Sequence, residues 1–116
     1  MPPRPPPDFH LWLSAAPEIR RAAAEALALR ASAGLDARVF ITGPAVQFAT
    51  RAGGDPTLAK LIDTARTQAK LEILVCVTAL REHGLEEAPL ARWADGRAGA
   101  AAFWLTLPRG AAPLVF

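Results

Sequence analysis

The sequence predicts an α/β domain of three layers, α/β/α, around a mostly parallel sheet of about five strands. Three observations predict it. Short apolar runs of strand length alternate with Ala- and Leu-rich segments of helical period. Those runs are apolar at nearly every position, as strands are when helices cover both faces of a sheet. The length, 116 residues without an internal repeat or a linker, fits one domain.

Met1 to Pro7 holds five prolines in seven residues, which favours polyproline II and an unstructured tail over residues 1–8. The domain is expected over 9–116. Phe9-His10-Leu11-Trp12-Leu13 lies in a first apolar run of strand length. Pro17 suits the first turn of a helix to Ala33, with Ile19, Ala23, Ala26, Leu27 and Ala33 near one face and Arg20, Arg21, Glu25 and Arg30 on the other. Gly34 ends it as a C′ residue.

Ala37 to Thr42 reads as the second strand, and Gly43-Pro44 opens a short helix to about Arg51. Asp55-Pro56 supplies an N-cap and an N1 proline for a helix to about Lys70, with Leu58, Leu61, Ile62, Ala65 and Ala69 on one face. Leu71 to Cys76 is the third strand. Thr78 is the expected helix-starting residue after it, and a short helical turn, Ala79 to His83, stops at Gly84. Glu86 to Asp95 reads as a loop with a short strand around Trp93. Ala98 to Leu107 is apolar nearly all round, as a buried helix would be, and Pro113 to Phe116 reads as a last strand.

Composition excludes several classes of function. Thirteen basic and eleven acidic residues are interleaved singly, so no basic stripe marks a nucleic-acid partner. No run of about 18 apolar residues predicts a membrane span, and no apolar N-terminal region predicts a secretory signal. One cysteine cannot form an internal disulfide and suits a reducing, cytoplasmic setting. The hydrophobic fraction, 52%, is high for so small a chain. Part of it is Ala; the aromatic bulk beyond what one sheet needs points to burial against another subunit.

Phosphate-cradling glycine motifs, C-x-x-C and G-x-S-x-G are missing. Two His and one Cys without local spacing predict no metal site, and no cofactor is expected. The chemistry candidate is Cys76. A lone cysteine ending an apolar strand is more often packing than chemistry. Two features point the other way: the carboxyl end of a strand is the ligand-binding edge of open α/β sheets, and a following helical turn aims N–H groups at a thiolate. His83, seven residues on, is a candidate base for that thiol, and Arg81 a candidate cation beside it. The bland alternatives are a solvated histidine and a solvated arginine. His10 reads as a strand histidine, and Glu86-Glu87 as a solvated pair.

The ordered set of segments resembles the DsrE/DsrF-like family, which includes the Tus sulfur-relay subunits. It consists of the strand and Ala-rich helix Leu11 to Ala33, then Ala37-Arg38-Val39-Phe40-Ile41-Thr42-Gly43-Pro44-Ala45-Val46, then Leu71 to Cys76 with Thr78 to Leu85, and the tail Gly96 to Phe116. The resemblance implies a flavodoxin-like fold, assembly into homo-oligomers (trimers or hexamers) and, at the position matching Cys76, a persulfide-carrying cysteine. A sulfur donor or acceptor protein would be its partner. Thr78, His83 and Gly43 are the supporting candidates, by their places after the third and second strands, although Gly43-Pro44 departs from the family's usual pattern there. The sequence leaves two readings open. One is a persulfide carrier or sulfurtransferase acting through Cys76. The other is a non-enzymatic, oligomeric small-ligand-binding or regulatory protein of the same fold.

Overall fold

The computed structural model describes residues 9–13, 20–54, 56–105, 107 and 113–115. The proline-rich segment 1–8, Pro17 and Phe116 lie outside the described residues. In chain order the elements are β1 (Phe9–Leu13), α1 (Arg20–Ser32), β2 (Ala37–Ile41), a 3₁₀ helix (Gly43–Ala49), α2 (Pro56–Arg66), β3 (Leu71–Cys76), α3 (Val77–Glu82), β4 (Gly96–Ala98), α4 (Ala100–Leu105) and β5 (Leu114–Val115). The result is an α/β fold with a parallel sheet.

The sheet order is β4-β3-β2-β1-β5. Three strands, β1 to β3, form its body. β4 and β5 are edges of three and two residues. Every pairing between these strands is parallel, with Phe9 against Ala37, Ala37 against Leu71 and Cys76 against Ala98. This order departs from the flavodoxin-like 2-1-3-4-5, in which β1 lies between β2 and β3. Here β1 to β4 are laid down side by side in one direction, and only the last crossover returns, past the whole sheet, to set β5 beside β1. With right-handed crossovers, the connections through α1, α2 and α3 share one face and α4 lies on the other.

The core follows from strand alternation. Val39 and Ile41 point to one side of β2 and Phe40 to the opposite side. Phe40 is fully buried and stacks on Phe103 of α4, with ring centroids 5.2 Å apart. On the other face α1 and α2 pack on each other. Their buried stripes are Ala24, Leu27 and Ala31, and Leu58, Ile62 and Ala65. Ala33, expected on the inner face of α1, is exposed, because the helix has ended at Ser32.

Glycines close the helices as expected. Gly34 has φ +79°; its N–H donates to Ala31 O and that of Leu35 to Arg30 O. Gly84 (φ +68°) repeats the arrangement after α3. These are Schellman ends, which need the left-handed conformation that glycine adopts without penalty.

Two expectations are corrected. The helix within Ala98 to Leu107 is not buried all round: it spans six residues, of which Phe103 is buried while Trp104 and Leu105 are exposed. Around Trp93 the chain turns; the strand there starts later, at Gly96, and an isolated antiparallel bridge joins Leu90 to Thr50.

Candidate functional site

β2 and β3 end side by side. Ile41 pairs with Val75, so the next residues, Thr42 and Cys76, lie side by side at the carboxyl edge of the sheet. On the far side Cys76 pairs with Ala98, the last residue of β4. The chain then turns into the 3₁₀ helix after Thr42 and into α3 after Cys76, and these two helices pack against each other. Cys76 thus sits at the junction of β3, α3 and the 43–49 helix.

Cys76 is itself the N-cap of α3, with extended backbone (φ −66°, ψ 120°). Its Sγ accepts a hydrogen bond from the Ala79 N–H at 3.4 Å. An N-cap side chain takes up one of the N–H groups that a helix start leaves unpaired, and here a sulfur fills a place usually held by an oxygen. The thiol is free of any disulfide and buried, with 3% of the residue exposed.

The companion residues fall out differently. Thr78, expected to start the helix, is its second residue and points to solvent. The cap lies two positions earlier, at Cys76, a residue type seldom found at a helix start. Gly43 lies at the same sheet edge with φ +56°, the left-handed turn by which the chain leaves β2 for Pro44 and the 3₁₀ helix. His83 caps the far end of α3. Seven residues of helix put it about 10 Å along the axis from Cys76, and its Nδ1 lies 3.2 Å from Gln47 Nε2, on the exposed side. It ties α3 to the 43–49 helix and does not meet the thiol. Arg81 is engaged by Glu86 (Nε to Oε1, 3.5 Å), both in solvent. Gln47 escaped the sequence reading, since nothing local marks it as the partner of a residue 36 positions away.

Among the described residues no group of three or more His, Cys, Asp or Glu is placed to hold a metal ion, and no helix is long and apolar enough to cross a membrane. Among the described residues the arrangement offers one nucleophile, held by one N–H donor at a sheet edge, and neither His83 nor Arg81 is brought to it.

A parallel α/β sheet with a cysteine capping the helix after its third strand defines a class of small one-cysteine α/β domains. The DsrE/DsrF-like family model matches residues 12–104, and the chain belongs to that family. Its fold is similar to the crystal structure of the ychN protein from E. coli, with a TM-score of 0.71 at 19% identity over 94% of this chain and 99% of that one. No curated protein matches the sequence.

Proposed function

We propose that this chain is a persulfide carrier of the sulfur-relay type, acting through Cys76, in the cytoplasm, as a homo-oligomer that meets a donor and an acceptor protein. The observation that carries the reading is the Ala79 N–H aimed at Cys76 Sγ. A donor of that kind offsets negative charge on the sulfur, and the thiolate is the form that attacks.

The step balances without an oxidant. The Cys76 thiolate attacks the outer sulfur of a donor persulfide, R–S–SH. The donor's S–S bond breaks, a new S–S bond forms at Cys76, and the donor leaves as a thiolate. An acceptor nucleophile then attacks the outer sulfur of the Cys76 persulfide and returns Cys76 as thiolate. One cysteine is enough, because no resolving thiol takes part.

Burial sets a condition on this chemistry: with the residue 3% exposed, Sγ meets a donor only after a local opening of the sheet edge around it. The test is intact mass after incubation of the folded protein with a low-molecular-weight persulfide. The expected result is a gain of one sulfur atom, absent in Cys76→Ser, with the added sulfur passing on to a thiol acceptor. A thiol that reacts only after unfolding overturns the proposal.

The same burial favours the second reading, a non-enzymatic oligomeric binding or regulatory protein in which Cys76 is a core and capping residue. That reading expects Cys76→Ser to leave assembly and ligand binding unchanged. Trp104 and Leu105, apolar and exposed on α4, support an oligomer under either reading.

A further inference from the structure

We infer that a cavity between α2 and the turn at 91–93 binds a small organic anion with a flat ring. The cavity has a volume of about 460 Å³, and Cys76 does not line it. That volume lies within the roughly 300–1,000 Å³ range of small-molecule sites.

One wall is fixed by main-chain bonds and the other by a side chain. Thr50 and Leu90 form the antiparallel bridge. The Arg51 N–H donates to Pro89 O at 3.0 Å and the Ala91 N–H to Ala49 O at 2.6 Å. On the opposite wall Arg66, the last residue of α2, donates through Nη2 to the Trp93 carbonyl and to Asp95 Oδ2, each at 2.7 Å. The cavity is thus built before any ligand arrives, which lowers the cost of binding.

The lining states the ligand's chemistry. Ala59, Ala91 and Trp93 give it apolar surface. Arg51 and Arg92 stand on the two bridged segments, both exposed, and neither guanidinium has a hydrogen-bond or ion-pair partner among the described residues. Arg66 is already neutralised by Asp95. Two uncommitted guanidinium groups beside an apolar floor match a planar body carrying a carboxylate or phosphate, groups that a guanidinium binds through paired N–H donors. Asp63 is a carboxylate in the same lining and opposes a ligand bearing a second negative group near α2.

The inference is independent of the thiol chemistry and is tested on the full chain by amide NMR titration. The probes are adenosine 5′-monophosphate and indole-3-acetate, with adenosine and inorganic phosphate as the separate halves. The expected result is that one or both ring anions move the Ala59, Ala91 and Trp93 amides with Kd below about 1 mM, while each half binds at least about tenfold more weakly. Which ring anion binds separates phosphate from carboxylate. The double variant Arg51→Ala, Arg92→Ala changes two exposed residues and should keep the fold. It should weaken the bound probe about tenfold or more, and Asp63→Asn should tighten it about two- to fivefold. The inference is overturned if neither ring anion moves those amides at about 10 mM, if inorganic phosphate binds as tightly as the ring anions, or if the double variant binds unchanged.

Discussion

Residue 53 has room for a hydrogen and nothing larger. A methyl group built on Gly53 overlaps the main-chain carbonyl of Gln47, and the Gly53 N–H donates to Thr50 Oγ1 at 3.1 Å. The turn after the 43–49 helix is therefore folded back onto that helix's own backbone, which cannot move aside as a side-chain tip can. Gly53→Ala should cost roughly 1–3 kcal/mol, as forced overpacking does. Gly54→Ala is the control: its methyl meets the carbonyls of Arg51 and Thr50 at ordinary distances of 3.4 and 3.6 Å. Urea midpoints of the two variants check this, and equal midpoints would remove the steric account. The pair reads in the sequence only as a chain breaker, because what Gly53 touches is set by the fold of the turn. Gly34 and Gly84 were legible for the opposite reason: a C′ glycine answers to the helix just before it. Cys76 was half legible. Its place at a strand end came from the apolar run Leu71 to Val75, but its capping bond needs the chain direction after the strand, which the sequence assigned to Thr78.

At the scale of elements, β4 is attached to the sheet with the help of a side chain. It has three residues and follows a long irregular stretch. Asp95, just before it, provides the attachment. Its N–H donates to Ile73 O at 2.8 Å, and its Oδ2 accepts from the Ile73 N–H and from Arg66 Nη2, both at 2.7 Å. The ion pair is partly solvated, with the two side chains 29% and 39% exposed, so its charge contributes little. The Ile73 amide matters more, since Ile73 is buried and an unpaired buried N–H costs about 1–3 kcal/mol. Asp95→Ala should therefore destabilise by about that amount. Asp95→Asn keeps an acceptor oxygen and should recover most of it. Hydrogen exchange at the Ile73 amide separates the two: faster in Asp95→Ala, near wild type in Asp95→Asn. Identical losses in both variants would place the stabilisation in the charge instead. The sequence put Asp95 at the end of a loop because its two partners, Ile73 of β3 and Arg66 of α2, lie 22 and 29 residues away. The cavity's arginines were hidden in the same way: Arg51 and Arg92 looked like scattered charges until the Thr50–Leu90 bridge brought their segments together.

At the scale of the whole molecule, apolar periodicity and turn residues carried the α/β class, whereas strand order did not follow from them. β5 is two residues long, and nothing in Leu114-Val115 says that it lies beside β1. The surplus of apolar residues has a definite place in the fold. α4 lies against the sheet through Phe103 and turns Trp104 and Leu105 outward, 48% and 85% exposed, on the face opposite α1 and α2. Two large apolar side chains side by side on a short helix are a poor surface for water and a suitable one for a second copy of the chain. If the proposed homo-oligomer forms through this face, sedimentation at micromolar concentration should give a multiple of the 12.3 kDa chain mass, three or six times it under the assembly that the family resemblance implies. Leu105→Glu should shift it toward monomer without unfolding it, since the side chain is almost wholly in solvent and surface changes stay within about 0.5 kcal/mol. Trp104→Glu should do the same at some added cost, because the indole also packs edge-on against Phe103, with centroids 6.0 Å apart. A wild-type monomer would remove the oligomer from both functional readings. An oligomer that Leu105→Glu leaves intact would keep the assembly and move its interface away from α4, leaving these two side chains without a role in it.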